Sequence, residues 1–237
     1  GVVTRSPIPN NILTQAGPLS PVALAYLKYY PEPNNASGAK ADGTNNYISN
    51  SPAVDTFNSE FFRMDWNMSE RSHLFGDFRR NHRHNHKNDL FENGASGQSS
   101  ERLNLGSTLD EVYTLNNTTV LDVRANWTYY NEISVSADPS ITASTVGFPG
   151  YMDSASLQPQ LPYITPGYAS LGYNSGAANP TNDYQLFGDV VKILGRDTLK
   201  FGIDARQYRV DITSYEAGDG QFGFNSSFVQ ASSTSSA

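Results

Sequence analysis

Three histidines at alternate positions, His82, His84 and His86 in RRNHRHNHKND, are the sharpest chemical signal in the chain. Side chains two apart on an extended strand share a face. Three neutral imidazoles there could hold zinc, copper or nickel, with Asp89 or Glu92 as an oxygen ligand. Arg79, Arg80, Arg83 and Lys87 crowd the same stretch, and nearby cations oppose a bound dication. Two readings stand: a metal site, or the solvated root of a surface loop.

Catalytic patterns are weaker. There is no G-x-S-x-G elbow, and Gly97-Gln98-Ser99 and Gly106-Ser107 lack the strand-turn-helix setting that a serine nucleophile needs. The neighbouring carboxylates Asp110 and Glu111 fall on opposite faces of a strand and do not converge. Gly218-Asp219-Gly220 has neither the lysine nor the following helix of a phosphate loop. The chain has no Cys, which removes disulfides, thiolate metal sites and cysteine catalysis together. No catalytic residue and no cofactor is expected. A net charge of -7 argues against a nucleic-acid partner.

Charge is instead laid out along strands. In TVLDVRANWTYY, residues 119–130, Leu121, Val123, Ala125, Trp127 and Tyr129 share one face, and Asp122, Arg124 and Asn126 the other. In FNSEFFRMDWNM, residues 57–68, Phe62, Met64, Trp66 and Met68 oppose Arg63 and Asp65. In TLKFGIDAR, residues 198–206, Leu199, Phe201, Ile203 and Ala205 oppose Lys200, Asp204 and Arg206. A crossing strand needs ~9–11 residues, and aromatic girdles mark the interfaces. Ionised groups behind an apolar stripe suit the wet inner wall of a large barrel better than the core of a sandwich. Arg63, Asp65, Asp122, Arg124, Lys200, Asp204 and Arg206 are therefore expected to face a lumen, either lining a substrate path or pairing across the wall.

The elements that position these groups alternate short turns with long loops. Strands are expected at 57–68, 73–84, 102–114, 119–131, 184–193 and 198–210, with a last aromatic strand near 220–229. Tight turns lie at Ser69–Ser72, Asn116-Asn117 and Gly195-Arg196-Asp197, and long loops at 85–101 and 132–183. Residues 1–50 read as an irregular Pro- and Asn-rich segment with one short helix at 21–30, capped by Ser20 and closed by Pro31. Residues 51–237 read as the strand-bearing part. No apolar run approaches the ~20 residues of a membrane helix, so strands must do any crossing. The fold class is all-β, an antiparallel meander of long hairpins forming part of a transmembrane barrel. Tyr151, Tyr163, Tyr168 and Tyr173, spaced by Pro and Gly in the longest loop, either contact an external ligand or pack the loop on itself.

Four stretches carry a resemblance. IPNNILTQAGPLSPVALAYLKYYPEPN, FFRMDWNMSERSHLFGDF, VGFPGY with ITPGYASLG, and GRDTLKFGIDAR resemble, in order, segments of Oar-like TonB-dependent outer-membrane receptors. These are the receptors with a carboxypeptidase-regulatory-like domain. The resemblance implies a barrel of about 22 strands closed by a plug. It also implies residence in the outer membrane of a Gram-negative bacterium, contact with its lipid, energy delivered through TonB, and import of a bulky substrate. Neither a plug nor a TonB-box-like start is recognisable, and six or seven strands do not close such a barrel. The chain is expected to be an internal piece of a longer protein. The competing expectation is a soluble β-rich binding domain or hydrolase, with the His cluster as its metal site.

Overall fold

Alternation of apolar and polar residues is realised in six long antiparallel strands of 14 to 19 residues. A computed structural model of the chain describes residue 4 and residues 6–41 and 43–225. In chain order the elements are α1 (Pro21–Leu27), β1 (Val54–Ser69), β2 (Ser72–Lys87), β3 (Gln98–Asn116) and β4 (Thr119–Ser136). They continue with α2 (Tyr151–Ala155), β5 (Tyr163–Thr165), β6 (Ala177–Ala178), β7 (Thr181–Leu194), β8 (Asp197–Val210), β9 (Thr213–Ser214) and β10 (Gln221–Gly223). Single 3-10 turns occupy Pro9–Asn11, Leu13–Gln15 and Ser144–Val146.

The wall runs β1-β2-β3-β4-β7-β8, each strand antiparallel to its neighbour. β6 pairs with the upper end of β4 and β9 pairs with β6, extending the sheet beyond the long strands. Among the described residues β1 and β8 each pair along one edge, so this sheet is an open segment of wall.

Turn chemistry fixes the register. Asn116 Oδ1 accepts from the Thr118 amide at 3.1 Å and from the hydroxyls of Thr118 and Thr119 at 2.9 and 3.0 Å, closing β3 onto β4. Gly195, at φ +62, starts the two-residue turn between β7 and β8, a conformation that costs side-chain-bearing residues more. Because register sets the face, one residue of slip would turn every apolar side chain inward.

The strands run further than the alternation suggested, by one or two residues at some short turns and by more at most ends away from them. β2 continues to Lys87, and β3 begins at Gln98 instead of 102, shortening the first loop to 88–97. β4 continues to Ser136 and β7 begins at Thr181, shortening the second to 137–180. That second loop is not the structureless stretch its composition suggested. With α1 and the first loop it builds the core described below. The helix at 21–30 forms over Pro21–Leu27, with Ser20 Oγ accepting from the Ala23 amide. The aromatic strand near 220–229 is β10, which pairs in parallel with β5 and not with the wall. Residues 226–229 of that expectation lie outside the described residues.

Candidate functional site

The register sorts the six strands into two faces. One carries Phe62, Met64 and Trp66 of β1, Leu74 and Phe78 of β2, Leu109 of β3, Val123, Ala125 and Trp127 of β4, Leu186 of β7, and Phe201 and Ile203 of β8. Many of these are more than half exposed, Ile203 at 70% and Phe62 at 65%. An exposed apolar belt this continuous needs a nonaqueous surround. Trp127 and Tyr184 lie side by side toward the loop end, with Trp127 Nε1 donating to Asn182 Oδ1 at 3.1 Å. Trp66 and Tyr113 lie toward the short turns. A ring with one polar atom suits each interface. The same face also carries Glu111, which accepts from Ser72 Oγ at 2.8 Å beside the first short turn, and, one step beyond Phe62 and Phe78, the Glu60–Arg80 pair at 3.0 Å.

All seven charges expected to face a lumen lie on the opposite face. Arg124 pairs across strands with Asp110, which is 1% exposed, and Lys200 pairs with Asp189 at 2.9 Å. Arg63 and Asp65, at 2.6 Å, and Arg206 and Asp204, at 2.9 Å, pair along their own strands. Asp122 faces Asp189 in the register, and its Oδ1 is buried without a hydrogen-bond partner among the described residues. The same face carries groups that sequence reasoning passed over. Arg79 bridges three strands through Asp77, Thr108 and Asn126. Asp55 pairs with Arg83 and Arg102 with Glu132. Extending the alternation back to 55, through 77–83, back to 102 and on to 132 would have found the charged groups among them.

The histidines do share a face, as the longer β2 requires, but it is the continuation of the apolar face beyond Phe78. Each finds a different neighbour. His82 meets Glu101 at 2.7 Å, His84 meets Ser99 at 3.3 Å, and His86 lies 3.9 Å from Asp89. Among the described residues no group of three His, Asp or Glu side chains is arranged to hold a metal.

Beyond the long-loop ends sits a small folded cap. Its core draws Tyr26 from α1, Ala95 from the first loop, and Ile141, Val146, Leu161 and Leu171 from the second. Tyr26 donates to the Pro162 carbonyl at 2.9 Å, and burial pushes its hydroxyl pKa up, so it stays a neutral donor. Phe148 stacks on Phe222 at 5.1 Å, tying β10 to this core.

The four loop tyrosines take separate roles. Tyr151 is exposed at the start of α2, and Tyr163 lies in β5, its amide bonded to the Gly220 carbonyl. Tyr173 packs the loop down, its hydroxyl bonded to Ser134 Oγ of the wall at 2.9 Å. Tyr168 is 61% exposed and heads a line of rings, Tyr168–Tyr30–Phe91–Tyr47, spaced 5.2, 5.5 and 5.4 Å. Three distant segments supply that line, and so no local pattern announced it.

Asp219 makes the cap sensitive to pH. Its Oδ2 accepts from Ser156 Oγ and from the Gln160 amide, both at 3.1 Å, while Oδ1 is buried without a partner among the described residues. Burial pushes this carboxyl above its usual range, with Asp153 adding to the shift. Folding therefore favours the proton on Asp219. Its contribution is most favourable in acid and declines as pH rises through the unfolded and then the folded pKa. Asp138, held low by Ser140, acts in the opposite sense, its stabilisation being lost in stronger acid. So does Asp153, whose hydrogen bonds from Ser144 and Thr142 outweigh its own burial. Between about pH 4 and pH 7 the local opening free energy of the cap, from exchange of the Gln160 and Leu171 amides corrected for intrinsic rate, should fall. Asp219→Asn should flatten that slope. An unchanged slope in the variant would remove Asp219 as its source.

A family model described as an outer membrane beta barrel domain matches residues 1–237. Comparison with curated proteins and with solved structures gives no match. The soluble-domain alternative is not retained, because a wall with one exposed apolar face and one charged face agrees with that family. The match spans the whole chain and agrees with a wall apolar on one side and charged on the other, so the chain belongs to the outer membrane beta barrel domain family and resides in the bacterial outer membrane.

Proposed function

We propose that this wall is part of an Oar-like TonB-dependent receptor, which binds a bulky substrate beneath the cap and imports it past a plug. The observation that carries the reading is the inner face itself. Ionised side chains recur on it in all six long strands and are largely paired with one another, as a broad aqueous lumen or a polar plug requires. Arg63, Asp65, Asp122, Arg124, Lys200, Asp204 and Arg206 line that path, the exposed Tyr151 and Tyr168 meet substrate outside, and the apolar belt meets outer-membrane lipid.

Because the chain has no Cys, a thiol placed at Thr128 on the inner face is the sole thiol it contributes. In intact cells Thr128→Cys should react with an impermeant maleimide faster when TonB is present than when it is deleted, because plug movement opens the lumen. The intact protein in a planar bilayer should show no steady large conductance. Labelling indifferent to TonB, together with a permanently open pore, would replace the receptor reading with that of a passive channel.

A further inference from the structure

The upper inner wall holds an arrangement that pairing alone does not explain. The β2–β3 register sets Arg83 directly opposite Arg102, and like charges so placed destabilise a sheet. Two flanking carboxylates temper the repulsion. Arg83 Nε donates to both oxygens of Asp55, at 2.8 and 3.1 Å, and Arg102 Nη2 lies 2.7 Å from Glu132 Oε1. Lower in the wall Asp122 likewise faces Asp189, but there Lys200 supplies the counter-charge. Around the arginines the balance tips the other way. Lys87 adds a third cation and has no ion-pair partner within 4 Å among the described residues.

Two hollows adjoin the pair and share both arginines. One, of about 200 Å³, is lined by Arg83, Asn85, Lys87, Ser100 and Arg102, and no carboxylate borders it. The other, of about 230 Å³, is lined by Phe57, Asn81, Arg83, Arg102, Asn104 and Tyr130. The first presents hydrogen-bond donors with net positive charge, and the second adds two rings. Ser100 reaches Ser134 at 3.3 Å, and Ser134 holds Tyr173 of the cap, so the site lies immediately under the cap.

We propose that Arg83, Arg102 and Lys87 form an oxyanion-binding subsite of the lumen, which anchors a carboxylate or phosphate on a ligand whose adjoining group is a flat apolar ring. Planar guanidinium groups match the paired oxygens of either anion, and Phe57 and Tyr130 flank the ring. The hollows fit one anionic end of a bulky substrate, not the whole of it. The inference rests on reading the lumen as a substrate path and names the chemistry recognised there.

The test is equilibrium binding to the intact protein in detergent, followed by fluorine NMR. The probes are para-fluorophenyl phosphate and para-fluorophenylacetate, with para-fluorophenylacetamide as the neutral control. At least one anion should bind roughly ten- to hundredfold more tightly than the amide, and which one does identifies the source of the oxyanion. Lys87→Gln breaks no ion pair and should keep the heat-modifiable fold while weakening the anion several-fold. Arg102→Gln should weaken it further, and both variants should weaken the anions more than the amide. Equal affinity for anion and amide, no binding of any probe, or full anion affinity in both variants would overturn the subsite. Those results would leave TonB-dependent labelling at Thr128 untouched, and anion binding without TonB dependence would sink only the receptor reading.

Discussion

Placing arginine at Leu186 is expected to cost the folded barrel about 2–4 kcal/mol, the range for a cation near the bilayer midplane. Leu186 is 56% exposed on the apolar face, between Tyr184 and Val190 on β7 and opposite Ala125 of β4 and Ala205 of β8. Those small neighbours leave a shallow apolar hollow with no carboxylate to receive a guanidinium. The adjacent residue supplies the control. Gln185 lies on the charged face, where its Nε2 donates to both oxygens of Asp204 at 3.0 Å. Arginine at Gln185 would stay wet but share Asp204 with Arg206, which lies directly opposite, and should cost less than about 1 kcal/mol. Urea midpoints of the protein folded into vesicles measure both. Equal tolerance at the two positions would mean that the faces have been assigned the wrong way round.

Leu171→Ala should destabilise the cap by about 2–5 kcal/mol while leaving the wall folded. Leu171 is fully buried, its backbone bridges Ile164 in both directions at 2.9 and 3.1 Å, and its side chain belongs to the cluster that holds Tyr26 and Leu161. Truncation there opens a void among residues that wall strands do not refill. Limited proteolysis should then nick residues 156–176 readily, with the heat-modifiable band of the barrel unchanged. If the barrel's urea midpoint fell by the same amount, cap and wall would be one cooperative unit and not two.

The wall was legible because hydrocarbon on one side and water on the other impose a period of two that no tertiary contact overrides. Leu121 to Tyr129 announced their face one residue at a time. Legibility stopped where the membrane stops. From Arg80 to Lys87 both faces of β2 are polar, so the strand's last residues looked like loop. The cap was hidden for a different reason. Tyr26 meets Pro162 across 136 residues, and Ala95, Ile141 and Leu171 come from segments with no shared period. Phe222 read as a barrel strand residue because an aromatic in an extended stretch looks alike whether it meets lipid or Phe148. The wall charges were readable as a face, whereas the opposition of Arg83 to Arg102 depends on a register that a ten-residue loop does not encode locally.

The six long strands of the described residues are an even number. The chain enters β1 and leaves β8 at the same end of the wall, the end bearing the long loops, which in outer-membrane barrels is the outside of the cell. That is why α1, preceding the first crossing, can share a core with residues 219–222, following the last. For an antibody or a phage approaching the bacterium, the cap is then a single conformational determinant assembled from four stretches of chain. A peptide copied from any one of them would present none of it, and a change as remote as Tyr26 would alter how residues 161–171 are recognised.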